Sequence, residues 1–194
     1  MKDESLAGVL DILDSNRDNP VLFTICSRFN SHLNLMLLKH LVKDKGQKGV
    51  YLTVDRPSDI MKRLLFAKKI DPGHVIFLDP ISKISGLKDP EASKEVTFMD
   101  NPFFKEVMQF LSEEGHATMK KDGIDFLMID NLSALSCYMD TKTMGAMLTA
   151  MARWTDLSVL MCVDDVNPKV HDQAKAVCTK EVRFNEHMVP ELVF

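Results

Sequence analysis

The stretch Phe23–Leu35, FTICSRFNSHLNL, leaves an apolar, β-like run and enters an amphipathic helical one. In parallel α/β proteins such a strand-to-helix turn is a place for phosphate, because the N–H groups of a helix N-terminus converge there. The loop that does this most closely reads G-x-x-x-x-G-K-[ST]. Its glycines let backbone N–H groups wrap the phosphates, its lysine neutralises charge and its hydroxyl holds magnesium. With the loop begun at Ile25, the second glycine falls on Asn30, the lysine on Ser31 and the hydroxyl residue on His32. No glycine stands between Gly8 and Gly46, so no shift of register restores the pattern. Side chains at Cys26, Arg28, Phe29 and Asn30 are expected to crowd the volume that phosphates need. Arg28 keeps an attraction for anions, and Asn30 tolerates a left-handed backbone.

Outward from this stretch a βα rhythm repeats. VLFTICS (21–27) is a continuous apolar run of the kind found in strands covered on both faces. GVYLTVD (49–55), HVIFLD (74–79), IDFLMI (124–129) and LSVLMCVDD (157–165) read the same way. Between them lie helical patterns: 31–45, a segment opened by Pro57 with Ile60, Met61, Leu64 and Leu65 on one face, 101–121 opened by Asn101 and Pro102, and 141–156. Five strands alternating with helices predict a parallel sheet between helical layers. A leading helix over 4–15 is expected to pack on the core, and AVCTKEVRF (176–184) with HMVPELVF (187–194) reads as a terminal hairpin across Asn185 and Glu186. The polar segment after the third strand, within 80–100, is too long for an ordinary βα connection and reads as a lid or a partly disordered loop.

The 194 residues fit one domain, 1–194. A net charge of −4 disfavours bulk binding to nucleic acid. The four cysteines, 26, 137, 162 and 178, have no paired spacing for zinc or redox chemistry and read as reduced, buried thiols. No apolar stretch approaches the roughly 20 residues of a membrane helix, and the N-terminus has no targeting pattern. A cytoplasmic protein without membrane contact is the expectation.

Chemistry-bearing residues gather at strand ends. Asp130 closes the strand FLMI, Asp55 follows the second strand, and Asp164 and Asp165 follow the fifth. All four belong to the carboxyl edge, where open α/β sheets bind ligands. Asp55 also reads as a helix cap ahead of Pro57, and Asp130 as a turn or cap residue. Four carboxylates without the lysine would repel a triphosphate unless a divalent ion were present. The six histidines are scattered, and the thirteen methionines fall at core positions of helices and strands.

In order and spacing, VLFTICSRFNSHLNLMLLKHLVKDKGQKGVYLTVDRPSDIMKRLLFAKKID, HVIFLDPISK, DFLMIDNLSAL and LSVLMCVDD resemble the RecA/KaiC-like P-loop ATPase superfamily common in archaea, over residues 18–184. The resemblance implies a three-layer α/β fold with a mainly parallel central sheet and, here, a C-terminal antiparallel hairpin. It implies a phosphate loop at Arg28, Asn30, Ser31 and His32, a magnesium-orienting carboxylate at Asp130, and a catalytic glutamate pair that falls on Asp55 and Arg56. The motif that grips phosphate is the one replaced. The leading expectation is therefore a non-catalytic domain without a cofactor, acting in regulation or signal transduction through a protein partner or a homo-oligomer. One alternative is an ATP- and Mg-binding protein or weak ATPase, with Arg28 or His32 in place of lysine and Asp55 activating water. The other is a small-molecule or anion sensor with the 80–100 segment as lid.

Overall fold

Five apolar segments are buried along nearly their whole length. They are β1 (Val21–Ile25), β2 (Gly49–Leu52), β3 (Val75–Asp79), β5 (Phe126–Ile129) and β6 (Ser158–Asp164). Side chains of a strand alternate between faces, so burial at consecutive positions requires cover on both sides. The computed structural model, which describes residues 9–10, 13, 20–84, 96–98, 109–154 and 156–193, provides that cover. Leu22, Val50, Leu52, Leu127, Ile129 and Met161 belong to one apolar core, and Phe23, Tyr51, Phe77, Phe126, Met128 and Leu160 to the other.

The first core is completed by α4 (Glu113–Lys121), α5 (Leu132–Leu135), α6 (Thr141–Met151) and α7 (Pro168–Lys175). The second is completed by α1 (Asn30–Leu38, continued by a wider π-type turn over Lys39–Asp44) and α2 (Ser58–Ala67). Val9 and Leu13 are helical and buried in the second core, as the leading-helix reading expects; Leu6 lies outside the described residues. Gly46, with φ +67°, ends the α1 segment in the left-handed conformation that favours glycine. Gly49 opens β2 where a Cβ would stand 2.1 Å from the Phe126 ring, so only glycine fits there.

The sheet has the order β4-β3-β2-β5-β6-β1-β7-β8, with α3 (Ile81–Ile84) following β3, and β4 (Val96–Phe98), β7 (Lys180–Phe184) and β8 (Pro190–Leu192) completing it. Every pairing is parallel except β7 with β8. The expected parallel sheet and terminal hairpin are both present.

Several boundaries differ from the sequence reading. The segment read as a loop over 80–100 carries α3 and the edge strand β4. The helix expected over 101–121 is interrupted at Ser112, whose hydroxyl accepts from the Gly115 N–H and caps a new helix; Asn101 and Pro102 lie outside the described residues. Ile60, placed on the buried face of α2, is exposed. Of the cysteines read as buried, Cys162 and Cys178 are, Cys26 is half-buried and Cys137 is exposed; all four are free. No helix among the described residues is long and apolar enough to cross a membrane.

Candidate functional site

The turn after β1 is short and wound inward. Cys26 is extended, Ser27–Phe29 form a single tight turn, and Asn30 begins α1 in right-handed conformation (φ −51°, ψ −48°). The left-handed backbone that Asn30 would tolerate is not used. The Phe29 N–H donates to the Cys26 carbonyl at 2.9 Å and the Asn30 N–H to the Ser27 carbonyl. Both amides are thus spent on the chain itself. The Arg28 guanidinium lies 4.6 Å from the centre of the Phe29 ring, an attractive placement over the face of the π-system. Ser31 is half-buried and His32 exposed.

Asn30 does something other than fill a phosphate volume. Its side chain is buried and its Nδ2 donates to the backbone carbonyl of Asp130 at 3.0 Å, joined by Asn34 Nδ2 at 3.3 Å. The Asp130 carboxylate is likewise turned to the backbone. Oδ1 accepts from the Val54 N–H at 2.8 Å and Oδ2 from the Asp55 N–H at 3.3 Å. One residue at the end of β5 therefore fastens both α1 and the chain leaving β2. Burial pushes its carboxyl up to about 7, against the two amide bonds, which favour the charged form.

The other carboxylates disperse. Asp55 is exposed, and its carboxylate pairs with Arg56 at 3.2 Å. It does not cap α2: the Ser58 N–H there donates to Asp79 Oδ2 at 2.6 Å. Asp164 is buried, accepting from Asn131 Nδ2 at 3.3 Å and from the Val166 N–H at 3.2 Å, while Asp165 is exposed. The helix cap after β5 is Asn131, whose Oδ1 accepts from the Ala134 N–H. Among the described residues no three His, Cys, Asp or Glu side chains converge in a way that would hold a metal ion.

Two buried carboxylates were not singled out by sequence reasoning. Asp79, at the tip of β3, accepts from the Ser58, Ile81 and Ser82 N–H groups and from the Ser82 hydroxyl, tying the starts of α2 and α3 together. The available signal was its position, identical to that of Asp130 on another strand. Glu181, on β7, has no exposed surface. Its Oε1 lies 2.8 Å from Thr24 Oγ1, 2.8 Å from His171 Nε2 and 3.0 Å from Arg183 Nη2, and Lys175 Nζ stands 3.9 Å from Oε2. Burial raises this carboxyl, but the bonds from His171, Thr24 and Arg183 outweigh it and hold the group below the usual glutamate range. Thr24, His171 and Arg183 also line a cleft of about 670 Å3, together with Arg28, Asp164 and Asp165.

With this geometry established, solved structures place the architecture. A KaiC-like protein, PH0186, from the hyperthermophilic archaeon Pyrococcus horikoshii OT3 superposes with a TM-score of 0.57 at 12% identity, covering 90% of this chain and 74% of that one. The fold is RecA/KaiC-like. The protein PH0321 of Pyrococcus horikoshii, solved in complex with an unknown peptide, gives a TM-score of 0.64 at 9% identity and covers 91% and 84% of the two chains. A separate ATPase domain gives 0.54 at 14% identity, covering 96% and 84%. No family model matches the chain, and no curated protein matches its sequence.

A resemblance to RecA/KaiC-like ATPases implies ATP and magnesium at this edge, where several of the groups that would meet them are engaged within the chain. The Phe29 and Asn30 amides are bonded to the chain, Asn30 projects a side chain into the core, and the Asp130 carboxylate is held by backbone N–H groups. Arg28 is the one cation of the turn, and it rests on Phe29.

Proposed function

We propose that this RecA/KaiC-like domain does not hydrolyse nucleotides and acts as a regulatory or signalling module that binds protein, with no cofactor. The observation that carries the reading is the inward commitment of Asp130. A carboxylate already accepting two backbone N–H bonds, and pushed toward its neutral form, is a poor ligand for a hard dication that demands charged oxygens. The turn after β1 supports it further, since its Phe29 and Asn30 amides donate to carbonyls of the turn itself. The peptide bound to PH0321, which has a similar fold, supports a peptide or protein as the partner class.

Calorimetric titration with ATP in the presence of magnesium tests the proposal. No heat of tight binding is expected, and magnesium-dependent tight binding would overturn it. If such binding appears together with hydrolysis, Asp130→Asn would decide between the carboxylate roles, because a magnesium-holding residue cannot be neutralised without loss of turnover.

A second reading rests on the cleft. Arg28, Arg183 and the α7 residue His171 line it together with Asp164, Asp165 and Glu186, so a small anion would find two guanidinium partners there if it avoids the carboxylates. A thermal-shift screen of small carboxylates and phosphates against this cleft supports that reading if a stabiliser appears and loses its effect in Arg28→Ala. A flat screen removes it.

A further inference from the structure

The cleft of about 670 Å3 at the carboxyl edge is lined by charge of both signs. Its place follows from strand pairing. β1 lies between β6 and β7, with Ile25 opposite Asp164 and Thr24 opposite Arg183, so the turn after β1 is flanked by the chain leaving β6 and the chain leaving β7. The turn brings Arg28, the first flank Asp164 and Asp165, and the second Arg183 and Glu186, while His171 enters from α7. Two guanidinium groups and an imidazole thus stand with three carboxylates, and neither sign prevails.

Most of these groups already have partners. Asp164 is buried and accepts from the Val166 N–H and Asn131, Arg183 and His171 both reach Glu181 Oε1, and the Glu186 carboxylate stands 3.5 Å from His187 Nε2. Arg28 and Asp165 are the exceptions. Both are exposed in the same cleft, yet neither makes an ion pair with the other or with any other group among the described residues. The Phe29 ring, 4.6 Å away, holds the Arg28 guanidinium without neutralising it. Opposite charges that share a cleft unpaired select a ligand that carries both. Each of its poles meets a complement, whereas a simple anion or cation meets one complement and one repulsion.

We infer that the cleft binds a zwitterion of amino-acid to dipeptide size, with the ligand's carboxylate on Arg28 and its ammonium on Asp165. This rests on the reading of the cleft as a small-molecule site and names what that site selects. A carboxylate suits Arg28 because it can accept two parallel N–H bonds from one guanidinium. The volume agrees, since small-molecule sites measure roughly 300–1,000 Å3.

Thermal unfolding of the full chain tests the inference. Glycine, β-alanine, γ-aminobutyrate and glycylglycine serve as zwitterions of increasing charge separation, and acetate and methylammonium as single-pole probes, all at millimolar concentration so that no solute acts as an osmolyte. At least one zwitterion is expected to raise the midpoint by about 3 °C or more, the shift given by a probe at about ten times its Kd. Acetate and methylammonium, separately or mixed, should not reproduce it. In calorimetry with that zwitterion, Arg28→Gln and Asp165→Asn should each weaken binding by at least about tenfold, while both unliganded variants unfold at the wild-type temperature. The inference is overturned if none of the four zwitterions shifts the midpoint, if acetate alone matches them, or if either variant binds the zwitterion as the wild type does. Acetate matching the zwitterions would leave the anion reading of the cleft standing, whereas a flat response to every probe would remove both. Neither result touches the nucleotide titration.

Discussion

Asp130 should make the stability of this protein fall as pH rises through neutrality, opposite to the behaviour of most paired carboxylates. Its carboxyl is pushed from 3.8 to about 7 in the folded chain, chiefly by burial. The native state therefore holds this proton more tightly than the unfolded chain does. The resulting stabilisation is fully present below about pH 4, is lost as pH rises through about 7, and is constant above it. About three units of difference correspond to roughly 4 kcal/mol as an upper bound. The perturbation is Asp130→Asn, which keeps the shape and removes the titration. Asn Oδ1 can still accept from the Val54 N–H, but its Nδ2 faces the Asp55 N–H, which adds a pH-independent cost of about 1–3 kcal/mol to the pH-dependent difference. Urea unfolding of both proteins between about pH 4.5 and pH 8.5 is the assay, because the linear extrapolation gives a free energy at each pH. The advantage of the wild type over the variant should shrink by a few kcal/mol across that range, with magnesium chloride leaving the curves where they are. A pH-independent difference, or an advantage that grows with pH, would refute the claim that burial dominates this carboxyl. A magnesium-dependent flattening of the curve would refute its commitment to the backbone.

Other residues give sharper and smaller tests. Asn30→Ala removes a buried 3.0 Å bond to the Asp130 carbonyl and should cost about 1–3 kcal/mol in urea unfolding. Glu181→Ala leaves His171 and Arg183 facing a vacated buried position and should cost about 3 kcal/mol or more, with Glu181→Gln milder because Thr24 Oγ1 keeps an acceptor. Glu181 is held below its usual range, so its contribution is present above the unfolded carboxylate range and lost as pH falls through the folded value; the acid limb of the wild-type stability curve should be shallower in Glu181→Gln. Gly49→Ala, which would place a methyl 2.1 Å from the Phe126 ring, should lose at least about 3 kcal/mol or fail to yield soluble protein.

The sheet was legible because burial on both faces writes itself into composition. Runs such as VLFTI and FLMI leave no polar face, and only a central parallel strand tolerates that. The edge strand β4 was not legible: with a single neighbour, β3, its three residues VTF sit in a polar surrounding that reads as loop. The break at Ser112 was hidden for a related reason. Apolar spacing at Phe110 and Leu111 continues the helical pattern, and the decisive event is a hydroxyl reaching the Gly115 N–H three residues on. Glu181 was overlooked because a single charge in a short strand reads as the solvent face. Here β7 is an interior strand between β1 and β8, and the solvent face does not exist at that position.

The carboxyl edge illustrates what a sequence withholds about a site. The absence of the glycines and the lysine was visible, and crowding of a phosphate volume was an expectation from side-chain size alone. The contacts at this edge were not visible, because the partners lie far apart in the chain: Asn30 and Asn34 hold the carbonyl of a residue about a hundred positions later, and that residue's carboxylate holds Val54 and Asp55. These contacts are mutually dependent. A glycine at position 30 would leave the Asp130 carbonyl with Asn34 as its one side-chain donor, and a solvated Asp130 would release the start of the β2–α2 connection. A glycine at position 30 alone therefore should not create a phosphate site. Asn30→Gly together with Ser31→Lys is expected to lower stability by more than Asn30→Ala and to leave ATP unbound in calorimetry, because the Phe29 amide remains bonded to Cys26 and the Asp130 carboxylate remains bonded to the backbone. Magnesium-dependent ATP binding by that double variant would mean that the turn after β1 opens freely and that its closure is not fixed by the contacts described.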